Sequence, residues 1–289
     1  TGFTGSAGMA IIQRNKAVIF VDGRYTLQAQ QQVNQDLFEI SNLNNNSIDN
    51  WILESLAPGE ILGFDPWLHT SDAIVRLKKT TEKMGVRLTA TKNNPVDAVW
   101  LNRPEPPLTP VILMEHIVTG KISSEKRTQI AKILKQKEVS SCVLTAPDSI
   151  AWLANIRGSD VPYTPFSLAF AIFHANGDLD IFNDPRKFSI KVREKLDPGI
   201  SIIQKEEFLP TLRTIAKRNE KIGIDLSTSA EIIATTLRDS GAQLQRFSDP
   251  CQLPKAIKNS VELNGMRQAH LRDGIALTKF LAWLDENSA

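Results

Sequence analysis

Ile61-Leu62-Gly63-Phe64-Asp65 is written a second time as Lys221-Ile222-Gly223-Ile224-Asp225, and the repetition spreads outward from both copies. Upstream, the run from Ala17 to Asp22 matches the run from Leu179 to Asp184, and Gly5-Ser6 matches Gly158-Ser159. Downstream, Gly85 and Leu88 answer Gly241 and Leu244, and Asn94-Pro95 answers Asp249-Pro250. The spacings drift only as loop insertions and deletions would make them drift. The chain carries one domain twice.

In each copy a short apolar run ends on Gly-x-Asp and meets a polar opening, Thr70-Ser71-Asp72 or Ser227-Thr228-Ser229. A buried strand that hands over to a capped helix has this pattern. The helices are expected over 71–84 and 229–238, stopped by Gly85 and Gly241 as helices stop at a glycine C-cap. Strands follow over 86–90 and 243–247. Strand, helix and strand within about 30 residues form a βαβ unit, so the fold class is α/β with a mostly parallel or mixed sheet and flanking helices. Burial explains every residue of this unit without invoking catalysis.

The chain has 289 residues, 42% hydrophobic and 23% charged, enough for two ordinary globular domains. A net charge of +2 with mixed signs gives no electrostatic case for nucleic acid or a membrane surface, and no apolar run reaches the roughly 18 residues of a membrane span. Cys142, in an expected strand, and Cys251, beside Pro250, read as reduced structural thiols and lean towards a reducing compartment.

In the second copy a helix over 124–137, a strand over 141–145 and a helix over 148–155 precede Gly158-Ser159. In the first copy Gly5-Ser6 stands almost at the start, so that copy is expected to lack its opening strand and helix. The Gly/Ser-rich stretch from Thr1 to Gly8 has neither G-x-G-x-x-G spacing nor a P-loop lysine and reads as a turn. Residues 9–13 and 17–21 form a hairpin across Arg14-Asn15-Lys16. Asp22-Gly23-Arg24-Tyr25 then opens a helix to about Val33, with Asp22 and Arg24 as an edge ion pair. Residues 41–46 read as a polar loop, and Ile48, Trp51, Ile52 and Leu56 give the helix over 48–56 a core face. Five of the chain's 15 prolines fall between 95 and 110, which marks a stiff interdomain linker.

The most specific stretch runs from Asp148 to Asp160, a short helix entering a polar turn, followed by Val161-Pro162-Tyr163-Thr164-Pro165. Trp152 and Ile156, four apart, should pack down and leave Arg157, Ser159 and Asp160 at the turn. Arg157 and Asp160 either pair with each other to hold the loop or reach a neighbouring site.

Ile150-Ala151-Trp152-Leu153, Asn155, and Arg157-Gly158-Ser159-Asp160 resemble three-domain Xaa-Pro aminopeptidases, the aminopeptidase P branch of the creatinase and prolidase superfamily. The same resemblance is carried by Asp22 to Tyr25, by Asn94, Val96, Asp97 and Trp100 with Arg103-Pro104, and by Ala256 to Glu262 with Gly265 to His270. It covers essentially the whole chain in order. It implies two tandem creatinase N-terminal-like domains, 1–105 and 106–252, followed by the start of a pita-bread catalytic domain, 253–289. It further implies a complete protein that holds two divalent metals, manganese expected, and removes the residue before a proline, with metal as Lewis acid and water activator. Proline-containing peptides as substrates and a homodimer follow from the same resemblance, a cytoplasmic setting agrees with the reduced thiols, and Arg157 and Asp160 are the candidate substrate-binding residues, reaching substrate across such a dimer.

The chain departs from such an enzyme where the catalytic domain would begin. A helix over 261–286, capped by Asn259 or Ser260, carries Leu263, Met266, Leu277, Leu281 and Leu284 on one stripe, which is expected to pack on a second copy, to pack on domain two, or to fray. His270 on that helix reads as a packing residue. His69, His116, His174 and His270 are scattered singly, with no H-E-x-x-H and no CxxC, so no metal site is expected in this chain. Asp178 and Asp180 read as hairpin chemistry around Asn176-Gly177, and no G-x-S-x-G elbow is present. Two functional classes follow: the non-catalytic part of a working Xaa-Pro aminopeptidase, or a peptidase-like binding and assembly module without chemistry.

Overall fold

A computed structural model describes residues 1–43 and 47–288. The chain forms two compact units, one of residues 1–65 with 72–94, the other of 66–71 with everything from Pro95 onward.

In the first unit β1 (Gly8–Ile12) and β2 (Ala17–Val21) make the expected antiparallel hairpin. A single 3-10 turn leads into α1 (Thr26–Gln32), and β3 (Glu39–Asn42) returns parallel to β2. Ser41 and Asn42 therefore belong to a strand rather than to the expected loop, because Phe20 and Val21 pair with them; residues 44–46 of that loop lie outside the described residues. After α2 (Ile48–Ser55), β4 (Ile61–Phe64), α3 (Ser71–Lys83) and β5 (Arg87–Ala90) build the βαβ unit, with β4 and β5 parallel. Trp51 and Ile52 of α2 pack on Ile11, Val18 and Phe20, with Leu62, Leu77 and Met84 at the margin. Among the described residues β4 and β5 form a sheet of their own.

The second unit begins with α4 (Pro95–Val99), where Pro95 opens a helical turn, then β6 (Ile112–Leu113) and α5 (His116–Thr119). α6 (Ser123–Gln136), β7 (Ser141–Leu144), α7 (Pro147–Ala154) and β8 (Ile156–Arg157) follow. β9 (Phe170–His174) and β10 (Leu179–Asn183) form a hairpin; α8 (Ile190–Glu194) leads to β11 (Ile200–Gln204) and α9 (Phe208–Ala216). β12 (Lys221–Ile224), α10 (Glu231–Asp239) and β13 (Gln243–Arg246) repeat the βαβ unit, and α11 (Gln252–Ala256) and α12 (Ser260–Asn287) close the chain. One six-stranded mixed sheet results, in the order β11-β10-β9-β7-β12-β13. Its faces are covered by two cores, Ile130, Leu134, Trp152 and Phe173 on one side and Phe182, Phe208, Leu212, Ile222 and Leu237 on the other.

The duplication holds down to hydrogen bonds. Asp22 accepts from the backbone of Arg24 and pairs with its guanidinium at 2.8 Å, as Asp184 does with Arg186 at 2.6 Å. Gly85 and Gly241 take left-handed conformations after α3 and α10, and the next residue's N–H reaches back to Thr81 or Leu237. At Gly223 an added Cβ would lie 3.0 Å from Phe247, and at Gly63 3.2 Å from Thr91, so in both copies of the opening stretch a side chain approaches the glycine closely.

α12 is capped by Asn259, with Glu262 completing a capping box. Its first turn is seated against α5: Asn259 donates to the Thr119 carbonyl at 2.8 Å, and left-handed Gly120 leaves room for Asn259 and Val261. Beyond that turn, Met266, Leu277, Phe280, Leu281 and Trp283 remain exposed and the helix stays wound to Asn287. His270 is exposed there too, not packed as expected, because nothing among the described residues covers this part of the helix. Cys142 and Cys251 are free and fully buried, and burial pushes both thiols up.

Candidate functional site

The loop over 156–168 is the part of the second unit where polar chemistry collects. α7 ends at Asn155, whose left-handed backbone turns the chain into β8, and β8 pairs antiparallel with β6 of the linker. Trp152 and Ile156 pack down as their spacing requires. Gly158 N–H then meets the Pro165 carbonyl at 3.5 Å and closes the loop on itself.

Arg157 and Asp160 do not pair. The Asp160 carboxylate is fully buried and accepts from Lys187 Nζ at 2.6 Å, from Ser167 Oγ at 2.9 Å, from Leu168 N–H at 2.7 Å and from the Thr109 hydroxyl. Burial alone would raise its proton affinity, but the hydrogen bonds from Lys187, Thr109, Leu168 and Ser167 together hold the carboxyl below the usual carboxylate range. The local ion pair expected from sequence gives way because Lys187, brought close by β10, offers a buried cation with better geometry. Asn183 at the end of β10 donates to Ser167, so linker, loop and the end of an inner strand are tied into one network.

Arg157 faces the other way. Its Nη1 donates to the carbonyls of Ile156 at 2.8 Å and Ala151 at 3.3 Å. Burial lowers its proton affinity, against the pull of Glu262 at the start of α12. Lys126 of α6 shares that surrounding: buried, it donates to Asn155 Oδ1 at 2.6 Å and to the Trp152 carbonyl at 3.1 Å, and lies over the Trp152 ring. Desolvation, opposed by Glu262 and aided by Arg157, Lys121 and Lys258, pushes its pKa down to about 8. The buried Lys126 and the half-buried Arg157 are thus both favoured in their charged forms by the capping-box carboxylate of α12.

What the loop presents outward is Tyr163. It is fully exposed, at 107%, and stands at a φ of 60°. A non-glycine residue there costs on the order of 1 kcal/mol. Sequence reasoning passed over both Lys187 and Tyr163. Lys187 carried no signal, being 27 positions from Asp160, whereas Pro162 before Tyr163 could have flagged a turn that strains its third residue.

Among the described residues no group of three or more His, Cys, Asp or Glu side chains gathers as a metal site. Asp178 and Asp180 are used locally: Asp178 closes the Asn176-Gly177 turn, and Asp180 lies 3.0 Å from His174 Nε2. No helix is long and apolar enough to cross a membrane.

The profile of the Creatinase/Prolidase N-terminal domain matches residues 1–97, and a second profile of that description matches 102–262. The chain belongs to this family. The creatinase/prolidase N-terminal domain accordingly occurs twice, once in each copy of the repeat. Aminopeptidase P1 of Lotus japonicus is 30% identical over 99% of the chain and Aminopeptidase P2 of Arabidopsis thaliana 32% identical over 99%. The matches take up 49% and 45% of those proteins, so the chain spans about half the length of the curated relatives it matches. The X-prolyl aminopeptidase of Caenorhabditis elegans, described as a cytosolic enzyme with a di-nuclear active site, superposes on 99% of the chain with a TM-score of 0.89 and 29% identity, over 47% of its own length.

Proposed function

We propose that this chain is the non-catalytic N-terminal part of a metal-dependent Xaa-Pro aminopeptidase, which releases the first residue of peptides whose second residue is proline. The observation that carries the reading is the match of nearly the whole chain to about half of an X-prolyl aminopeptidase at a TM-score of 0.89. Within it, residues 1–105 and 106–252 are the two creatinase N-terminal domains and 253–289 the entry to the catalytic domain.

The chemistry belongs to two divalent metals, manganese by expectation, held outside this chain. The residues present do not fit such a centre, since no donor cluster gathers among those described. A cytoplasmic homodimer is the proposed setting, and buried reduced thiols at Cys142 and Cys251 support a reducing compartment. Arg157 and Asp160 are proposed to serve substrate binding by bracing the loop that carries Tyr163, because their own polar groups are largely engaged within the fold.

The test is hydrolysis of an Arg-Pro-Pro peptide with added manganese by this chain and by the full-length product of its gene. Turnover by the full-length protein alone is the expected result. Silence of both would favour the peptidase-like binding module, and turnover by this chain would mean that an active site lies within it.

A further inference from the structure

We infer that Tyr163 is a contact residue for the proline ring of the substrate peptide, an inference that rests on the aminopeptidase reading and names which side chain of the second unit meets the ligand. Thr164 N–H donates to the Val161 carbonyl at 3.1 Å and closes a turn with Pro162 at its second position and Tyr163 at its third. With φ positive at the third position this is the turn that ordinarily calls for glycine there. Among the described residues, three other non-glycine residues stand at positive φ: Glu138, Asn155 and Asn219. Each follows a helix, α6, α7 or α9, where one left-handed residue is the usual way to stop. Tyr163 stops no helix.

The fold gains nothing from this side chain. Among the described residues the hydroxyl has no hydrogen-bond partner and the ring no aromatic or cationic neighbour, and its whole surface is open to water. Glycine would relieve the backbone and bury no less. The residue is nonetheless held firmly: Pro162 and Pro165 stiffen both arms, Thr164 Oγ1 donates to the Pro162 carbonyl at 3.1 Å, and the base is locked by the buried carboxylate of Asp160. A rigid aromatic face on a pre-formed loop loses little entropy on binding. Proline is the residue such a face suits, because it is apolar and already stiff, has no N–H to satisfy, and packs on aromatic rings in proline-recognising sites.

The experiment uses the full-length protein with manganese and an Arg-Pro-Pro peptide, comparing wild type with Tyr163→Gly and Tyr163→Phe. Expected for the glycine variant are a KM raised about tenfold, as for loss of an aromatic anchor, a kcat within about twofold, as for a contact made equally in ground and transition states, and a melting temperature no lower than wild type. The phenylalanine variant should keep KM within about twofold of wild type. An unchanged KM in the glycine variant would overturn the inference, as would a loss of dimer on sedimentation with KM unmoved, which would give Tyr163 to an interface between copies. Inactivity of the wild type would overturn the aminopeptidase reading itself and take the proposed ligand with it, whatever stands at position 163.

Discussion

The two copies of the repeat contain the same pieces and differ in how those pieces are joined. In the first unit β1, β2 and β3 make one sheet and β4 with β5 another; in the second, β9, β10 and β11 and the pair β12 and β13 have the same pairings and directions. Among the described residues the second unit alone shows a strand in the place of β7, antiparallel to β9 and parallel to β12, which fuses the two parts into six continuous strands. The effect on burial is direct. Ala171, Ile172 and Phe173 of β9 are wholly buried, whereas β1 leaves Met9 and Ile12 exposed; Ile222 of β12 is buried, whereas its counterpart Leu62 in β4 is only half-buried. One strand outside the Gly-x-Asp signature thus decides whether that signature ends up in a continuous core.

The largest expected effect tests the signature itself. Ile222 and Leu62 are equivalent, but only Ile222 is fully buried, so Ile222→Ala should cost about 3–4 kcal/mol and Leu62→Ala about 1 kcal/mol in urea unfolding followed through Trp152 and Trp51. Equal costs would break the comparison. Next, amide hydrogen exchange in this chain should run on the order of a hundredfold faster in β1 and β4, each paired on one side among the described residues, than in β9 and β12, each paired on both; uniform protection would mean that the bridging by β7 does not set the difference. The smallest effect is in acid. Asp160 holds its proton less tightly folded than unfolded, so its stabilisation is present above the ordinary carboxylate value and is lost as pH falls through the lower folded one. The stability gap between wild type and Asp160→Asn should therefore be wide at pH 6 and shrink below about pH 4. A gap that stayed constant would remove Asp160 as an acid-sensitive tie of the second unit.

Much of this was legible in the sequence because it depends on near neighbours. The capped helices, the glycine stops, the hairpins at Arg14-Asn15-Lys16 and Asn176-Gly177, and the pair of Asp22 with Arg24 all lie within a few residues of their causes. β3 was hidden because Ser41 and Asn42 have polar side chains while their backbone completes a ladder with β2. The loop over 156–168 was found, but its wiring was not. Asp160 prefers Lys187 to Arg157 only because β9 and β10 bring Lys187 beneath the loop, and sequence spacing carries no trace of that. The fate of the stripe on α12 was likewise beyond local reasoning, since an apolar face declares that it wants a partner without saying which.

The central place of β7 also fixes an order of events during synthesis. Its first neighbour, β9, follows within about 30 residues, but its second, β12, begins roughly 50 residues after β9 ends, which at 5–20 residues per second leaves the strand half-paired for roughly 2–10 s. Over that interval a run of four residues, all buried in the finished sheet, offers one open edge to any strand that meets it. The strand that makes the second unit the more solid of the two is therefore also the one that must be kept from mispairing until β12 emerges.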